Sequence, residues 1–365
     1  MSSKIRVLVV DDSALMRQVL RGILEAEPDI EVCGIARDGM EAVEKAVELQ
    51  PDVITMDVNM PGMDGLVALK RILERVPARV IMVSSLTQEG ADITIEALRL
   101  GAVDFVAKPG GSISLSIKHV AEELVHKVRA AAAARGPRLT RAIPVGALQP
   151  SPASATGPVQ ATLPYGAPPK CLVVIGASTG GPRTLHEIVP RLPTDLLYAV
   201  IIIQHMPPGF TLSLARRLDA TARLKVLEAS DRHRILSGEA IVGKGGYQLK
   251  LASSGGHLIC RLDTEPAVVH RPSVNVTLRS AMEAFDPRRI IGVLLTGMGD
   301  DGADAMVELR RRGGFTVAES EETAVIFGMP RAAIKKGGAE VVAPSYRIAE
   351  IVEERLRQYE QSLFI

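Results

Sequence analysis

The chain has 365 residues, with 43 Lys and Arg against 42 Asp and Glu and a net charge of +1. That balance argues against a broad cationic face, and 3% aromatics with no Trp give little support to a base-stacking platform for nucleic acid. Hydrophobic residues make up 47%, enough for a sizeable core in each of two domains of ordinary size.

From residue 4 to about 128, short β-branched runs alternate with helical patterns. The runs are Ile5–Val10, Ile30–Cys33, Val53–Met56, Val80–Val83 and Val103–Ala107. Five such runs with helices between them predict a parallel sheet covered on both faces, the (βα)5 arrangement. In such sheets the site lies beyond the C-terminal strand ends. Those ends read Asp11-Asp12, then Asp57, then Ser84-Ser85, then Lys108-Pro109. Any one of these aspartates reads singly as a helix N-cap. Together, three carboxylates at one edge repel unless a hard cation such as Mg2+ sits among them. A lysine and a hydroxyl beside them suit a phosphoryl group.

VLVVDDSALMR, MDVNMPGMDG, MVSS and DFVAKPG together resemble a two-component receiver domain of the flavodoxin-like kind. The resemblance implies phosphorylation of Asp57, with Mg2+ held by Asp12, Asp57 and the Asn59 carbonyl, and Asp11 nearby. It implies Ser84 as the switch hydroxyl, Phe105 at the aromatic switch position and Lys108 as partner of the phosphoryl group.

Between Arg129 and Pro169 the chain turns to Ala, Pro, Gly and Ser with little periodicity, so a tether is expected, with helix permitted at its Ala-rich start. Such a tether keeps the two domains at high effective concentration. The expected division is residues 1–128, linker 129–168, and a second domain 169–365.

The second domain opens on LVVIGASTGG, Leu172–Gly181. Four apolar residues make a short buried strand, Gly176 to Gly180 reads G-x-S-x-G, and Pro182 suits the first turn of a helix continued by Leu185, Ile188, Val189 and Leu192. Ser178 therefore lies on a strand–turn–helix junction, where the helix aims free N–H groups at the same spot. That is the setting of a hydrolase nucleophile; the turn alone equally suits a phosphate cradle or a helix cap.

The next run, Tyr198–Ile203, is dense enough in β-branched residues for a buried parallel strand, and His205 follows it. The other histidines lie elsewhere: His119 and His126 in the last helix of the first domain, His186 on the helix after Ser178, and His233, His257 and His270 in loop- or hairpin-like stretches. Val226–Leu262, with its short alternating runs and glycine pairs, is expected to form antiparallel hairpins beside a parallel sheet. A third run, Arg289–Leu295, leads into Thr296-Gly297-Met298-Gly299-Asp300-Asp301-Gly302 and a helix. A serine, a histidine and an aspartate pair thus each follow a strand end. A serine hydroxyl needs a base, and the base needs a carboxylate to fix its tautomer. Spacing does not choose between Asp300 and Asp301.

GASTGG, IIIQHMPPGF, RPSVNVTLRSAM and LLTGMGDDGADAM together resemble the catalytic domain of the chemotaxis response-regulator protein-glutamate methylesterase. The fold class implied is a doubly wound, mainly parallel α/β domain with an antiparallel hairpin region. The resemblance implies Ser178 as nucleophile, His205 as base, Asp301 as its orienting carboxylate, and the backbone N–H groups of Thr179 and Met298 as oxyanion hole. It implies hydrolysis of glutamate methyl esters on chemoreceptors with release of methanol, deamidation of receptor glutamines, a chemosensory histidine kinase as phosphodonor, and no cofactor for the ester chemistry. The unphosphorylated receiver is expected to cover the site. One segment departs from the family pattern YIAPG-x-x-HL: Lys244 and Gln248 stand where proline and histidine are usual.

The opening MSSKIRVLVVDD has no signal-peptide pattern and no run reaches membrane-spanning length, so a cytoplasmic protein without membrane insertion is expected. Cys33, Cys171 and Cys260 are isolated and odd in number, as reduced core thiols are.

Overall fold

The computed structural model describes residues 4–85, 87–108, 113–133 and 166–361, without the side chains of 113–119. The chain divides into two compact units, residues 1–140 and 141–365.

The first unit runs β1 (Ile5–Val10), α1 (Ala14–Glu25), β2 (Ile30–Ala36), α2 (Gly39–Leu49), β3 (Val53–Asp57), α3 (Gly65–Leu73), β4 (Arg79–Ser84), α4 (Gln88–Leu100), β5 (Asp104–Ala107) and α5 (Ile113–Ala133). The helices start where a short polar side chain accepts from the first turn: Ser13, Asp38, Asp64 and Thr87 cap α1 to α4. All five strands are parallel, in the order β2-β1-β3-β4-β5. β3 is buried along its whole length, as a central parallel strand between two helical layers must be. β2 runs on to Ala36, past the expected end at Cys33, because a register shift at Val7/Leu8 lets its second half keep pairing with β1. α5 continues through Ala133, and the Arg129 guanidinium pins it to Asp29 and Glu27, at 2.6 Å each. The rest of the expected linker, up to residue 165, lies outside the described residues, as does Pro109.

The second unit runs β6 (Cys171–Ala177), α6 (Gly181–Ile188), β7 (Tyr198–Gln204), α7 (Phe210–Asp219), β8 (Lys225–Glu228), β9 (Glu239–Val242), β10 (Gln248–Ser254), β11 (His257–Asp263), α8 (Val274–Ala284), β12 (Ile290–Leu294), α9 (Ala303–Arg311), β13 (Phe315–Glu319), α10 (Met329–Lys335), β14 (Val341–Ala343) and α11 (Ser345–Gln361). Seven strands form one parallel sheet in the order β14-β13-β12-β6-β7-β9-β8. β6 and β7 are buried at every residue. Leu172 and Val174 of β6 share one core with α8, α9 and the β10–β11 hairpin, so Val173 and Ile175 face the opposite layer.

Of the expected hairpins, only β10–β11 is antiparallel; its turn, Gly255-Gly256, needs φ of +57° and +78°, a pair that glycine adopts without strain. β8 and β9 instead join the sheet parallel to each other and to β7. The reason lies in the connection between them. It does not turn back at once but crosses to β11, where Ile235 N–H donates to the Leu258 carbonyl oxygen (2.9 Å), before returning as the fully buried β9.

The chain leaves β6 toward β7 on one side and later returns to β12 on the other. The crevice beyond β6 is therefore a topological switch point, where open α/β sheets bind ligands. Among the described residues, no helix is long and apolar enough to cross a membrane.

Candidate active site and receiver site

Ser178 follows β6 directly, with α6 starting three residues later. Its N–H donates to the Thr296 carbonyl oxygen (3.0 Å), and its own carbonyl oxygen accepts from Gly181 N–H and Gln204 Nε2, both at 2.8 Å. Gly181 is dictated by this packing, since a Cβ there would fall 2.1 Å from Gln204 Oε1. Thr296 works as a hub. Its hydroxyl donates to the Thr179 carbonyl oxygen and accepts from Ile326 N–H, each at 2.9 Å. The turn is thus stapled on both sides to the loop after β12. Gly297 presses so closely that a Cβ would lie 2.8 Å from Ser178 Cβ, which brings the 297–298 backbone against the serine. Met298 N–H makes no hydrogen bond among the described residues.

His205 follows β7, the neighbour of β6 on one side; Asp301 follows β12, the neighbour on the other. Their side chains meet: His205 Nε2 donates to Asp301 Oδ2 at 2.8 Å. The other ring nitrogen, Nδ1, is buried and has no hydrogen-bond partner among the described residues. Asp301 accepts three further bonds at the start of α8, from Val274 N–H (2.7 Å), Ser273 Oγ (2.8 Å) and Asn275 N–H (3.1 Å). Burial opposes its charge. The bond to His205, the imidazole's charge and the two backbone donors overcome that and hold the carboxyl well below the usual carboxylate range. Asp300, by contrast, turns outward toward Lys336 Nζ at 3.4 Å, with its side chain 71% exposed.

In the first unit, Lys108 Nζ lies 2.8 Å from both Asp11 Oδ2 and Asp57 Oδ2. One carboxylate oxygen from each of Asp11, Asp12 and Asp57 falls within 4.8 Å of the others, with Asp11 and Asp57 buried and Asp12 exposed. Burial pushes the Asp57 carboxyl up and the Asp11 charge adds to this, while Lys108 and Asn59 N–H pull it down. An all-carboxylate set open on one side fits a hard, partly hydrated cation. Ser84 Oγ donates to the carbonyl oxygens of Gly90 (3.2 Å) and Ser85 (3.3 Å), and Phe105 is buried, with Lys127 Nζ 5.1 Å from its ring centroid.

A CheB methylesterase family model matches residues 173–352, and a response regulator receiver domain model matches residues 7–118. The protein-glutamate methylesterase/protein-glutamine glutaminase of Caldanaerobacter subterraneus subsp. tengcongensis is 53% identical, over 98% of this chain and 98% of that protein. The chain belongs to the protein-glutamate methylesterase/protein-glutamine glutaminase family. The relative from Thermotoga maritima is 47% identical over 95% of this chain and 97% of its own length. The second unit is thus a CheB methylesterase domain, a hydrolase, and the first its receiver domain.

Two residues of the methylesterase domain escaped sequence reasoning. His270, read as one more loop histidine, stacks on His205 with ring centroids 3.9 Å apart and planes 9° apart. Burial first, and then the His205 charge, pull its pKa down to about 4, against the pull of Asp301. It therefore stays neutral above acidic pH and presents a π face, not a second charge, to the neighbouring ring. Glu319, the last residue of β13, is fully buried; its carboxylate accepts from Thr296 N–H (2.8 Å) and Thr323 Oγ1 (2.9 Å) beneath the Ser178 turn. Neither residue lies on a motif or a periodic face that would have marked it.

Burial pushes the Glu319 carboxyl up to about 7 in spite of those two bonds, with the Glu187 charge adding to the rise. Between its ordinary 4.5 and about 7 the folded state keeps a proton that the unfolded chain has lost, so stability falls as pH rises through this window and levels off above it. Glu319→Gln, which cannot ionise, should remove that slope. Calorimetric melting of both proteins checks it: the margin of the variant over the parent should grow from pH 4.5 to pH 7. A margin independent of pH would sink the assignment.

Proposed function

We propose that this chain hydrolyses glutamate methyl esters on chemoreceptors, and deamidates receptor glutamines, through Ser178, His205 and Asp301, under control of phosphorylation at Asp57. The bond from His205 Nε2 to Asp301 carries the reading: it leaves Nδ1 as the nitrogen free to act as base. Nδ1 takes the Ser178 proton as Oγ attacks the ester carbonyl. Asp301, ionised and fixed by four donors, holds the tautomer and balances the imidazolium charge. The oxyanion is received by the N–H groups of Thr179 and Met298 at the Ser178 turn and the loop pressed against it. The imidazolium returns its proton to the departing methoxide, so methanol leaves and a glutamyl ester remains on Ser178. Water, deprotonated by the same imidazole, releases glutamate. With a glutamine side chain the leaving group is ammonia and the rest is unchanged.

The receiver domain accepts the phosphoryl group on Asp57 from a chemosensory histidine kinase in the cytoplasm. Asp12, Asp57 and the Asn59 carbonyl, with Asp11 nearby, would hold Mg2+, which when bound offsets phosphoryl charge. Lys108, now shared by Asp11 and Asp57, is placed to follow the new charge. Ser84 must give up its bond to the Gly90 carbonyl oxygen to reach it, and Phe105 completes the switch. In this reading the unphosphorylated receiver covers the catalytic site, and phosphorylation at Asp57 frees it.

Methanol release from methylated receptor membranes, with and without a small phosphodonor, tests the whole reading. Asp57→Asn is expected to abolish the phosphodonor's stimulation and leave basal release intact. Acid-labile phosphate on the Asn variant would show that another residue is the acceptor.

A further inference from the structure

We infer that Gln248, one of the two departures from the family pattern, is a positioning residue for His205 and Asp301. The inference rests on the catalytic reading above. Gln248 opens β10 and is fully buried. Its amide spends all of its polarity on the segment between β11 and α8. Oε1 accepts from Ser273 N–H (2.9 Å); Nε2 donates to the His270 carbonyl oxygen (2.9 Å) and, more weakly, to the Pro266 carbonyl oxygen (3.4 Å). Each of the two stronger partners touches the catalytic pair. His270 stacks on His205, and Ser273 donates its hydroxyl to Asp301 (2.8 Å) while capping α8.

The chemistry of the side chain explains why an amide serves here. The segment offers one N–H and two carbonyl oxygens, so it asks for one acceptor and two donors. A primary amide has both, whereas a neutral imidazole has one of each. Beside it, Gly246 N–H donates to the Arg271 carbonyl oxygen (3.1 Å), and Thr277 Oγ1 donates to the Leu249 carbonyl oxygen (2.6 Å). Gln248 is thus flanked by one bond from just before β10 to the segment and one from α8 to β10. Only Gln248, among these bonds, ties the hairpin at once to the residue behind the base and to the residue behind its carboxylate.

Two full-length variants test this, each with methanol release and calorimetry. Gln248→Leu keeps the volume and removes all three bonds. It should lower kcat by about 100-fold, the scale of an ångström-sized misplacement, with KM within about twofold of the parent. Gln248→Glu keeps the acceptor for Ser273 N–H and, only while protonated, a donor for the His270 carbonyl oxygen. Its turnover per folded molecule, with the folded fraction fixed by calorimetry at each pH, should therefore fall relative to the parent as pH rises; a loss of stability alone lowers the folded fraction and leaves that quantity unchanged. If Gln248→Leu does not fold, Gln248→Glu decides alone. A folded Gln248→Leu with kcat within about twofold of the parent, or a Gln248→Glu ratio independent of pH, overturns the inference. Ser178→Ala run alongside separates the two failures: residual turnover there would instead remove the catalytic reading.

Discussion

Ser178→Ala is expected to lower turnover on the order of 10^6-fold, the scale of removing a serine hydrolase's nucleophile, with an unchanged melting temperature. The two halves of this expectation have separate causes. The Ser178 side chain makes no hydrogen bond among the described residues, so deleting its hydroxyl orphans nothing. What holds the turn is bonding to its own main chain: Ser178 N–H on the Thr296 carbonyl oxygen, Gly181 N–H and the Gln204 side chain on the Ser178 carbonyl oxygen, and the Thr296 hydroxyl on the Thr179 carbonyl oxygen. All of these survive the substitution, so the variant remains a faithful scaffold that lacks only the attacking oxygen. Residual turnover above a thousandth of the parent in purified, folded protein would assign the nucleophile elsewhere; the backbone donors alone leave about 10^3–10^4-fold over water.

Asp301→Asn is expected to cost about 10^4-fold in turnover, whereas Asp300→Asn should leave most of the activity. The carboxylate of Asp301 accepts four bonds, from His205, Ser273, Val274 and Asn275. An amide in its place has one oxygen, and its NH2 group must face a donor. His205 and Val274 N–H share Oδ2, and Ser273 Oγ and Asn275 N–H share Oδ1, so whichever way the amide turns one backbone N–H of α8 loses its partner; with the NH2 group toward His205 the imidazole must also change tautomer, which removes the base. The orphaned N–H appears as stability, about 1–3 kcal/mol for a buried donor, so a lower melting temperature should accompany the loss of rate. Asp300, exposed and paired among the described residues with Lys336 alone, has neither role. Turnover and calorimetry on both variants decide it; a crippled Asp300→Asn would shift the whole assignment by one residue.

The strands that carry Ser178, His205 and Asp301 were legible because parallel strands buried on both faces are written as unbroken apolar runs, and such runs are hard to mistake. Chain position alone, however, does not say that the runs are neighbours; the order β12-β6-β7 does. The choice of Asp301 over Asp300 was closed to spacing because it depends on where α8 begins, an element nearly thirty residues earlier. His270 was invisible for a similar reason. Its place against His205 is set by a non-repetitive segment held through Gln248, which has no period to read. β8 and β9 misled because a short alternating run looks the same whether its neighbour lies antiparallel or parallel; the route of the connection decided between them.

The central position of β6 also bears on the life of the chain before it is complete. During synthesis β6 and β7 emerge together, but the flank of β6 that will take β12 stays an open row of backbone donors and acceptors until residues 290–294 have been made. An apolar strand in that condition is a template for mispairing with other chains. The closing contact is also distant in sequence, which makes it slow to find. Nascent chains that stall before β12 should therefore be both inactive and prone to aggregate, and they would depend most on chaperones.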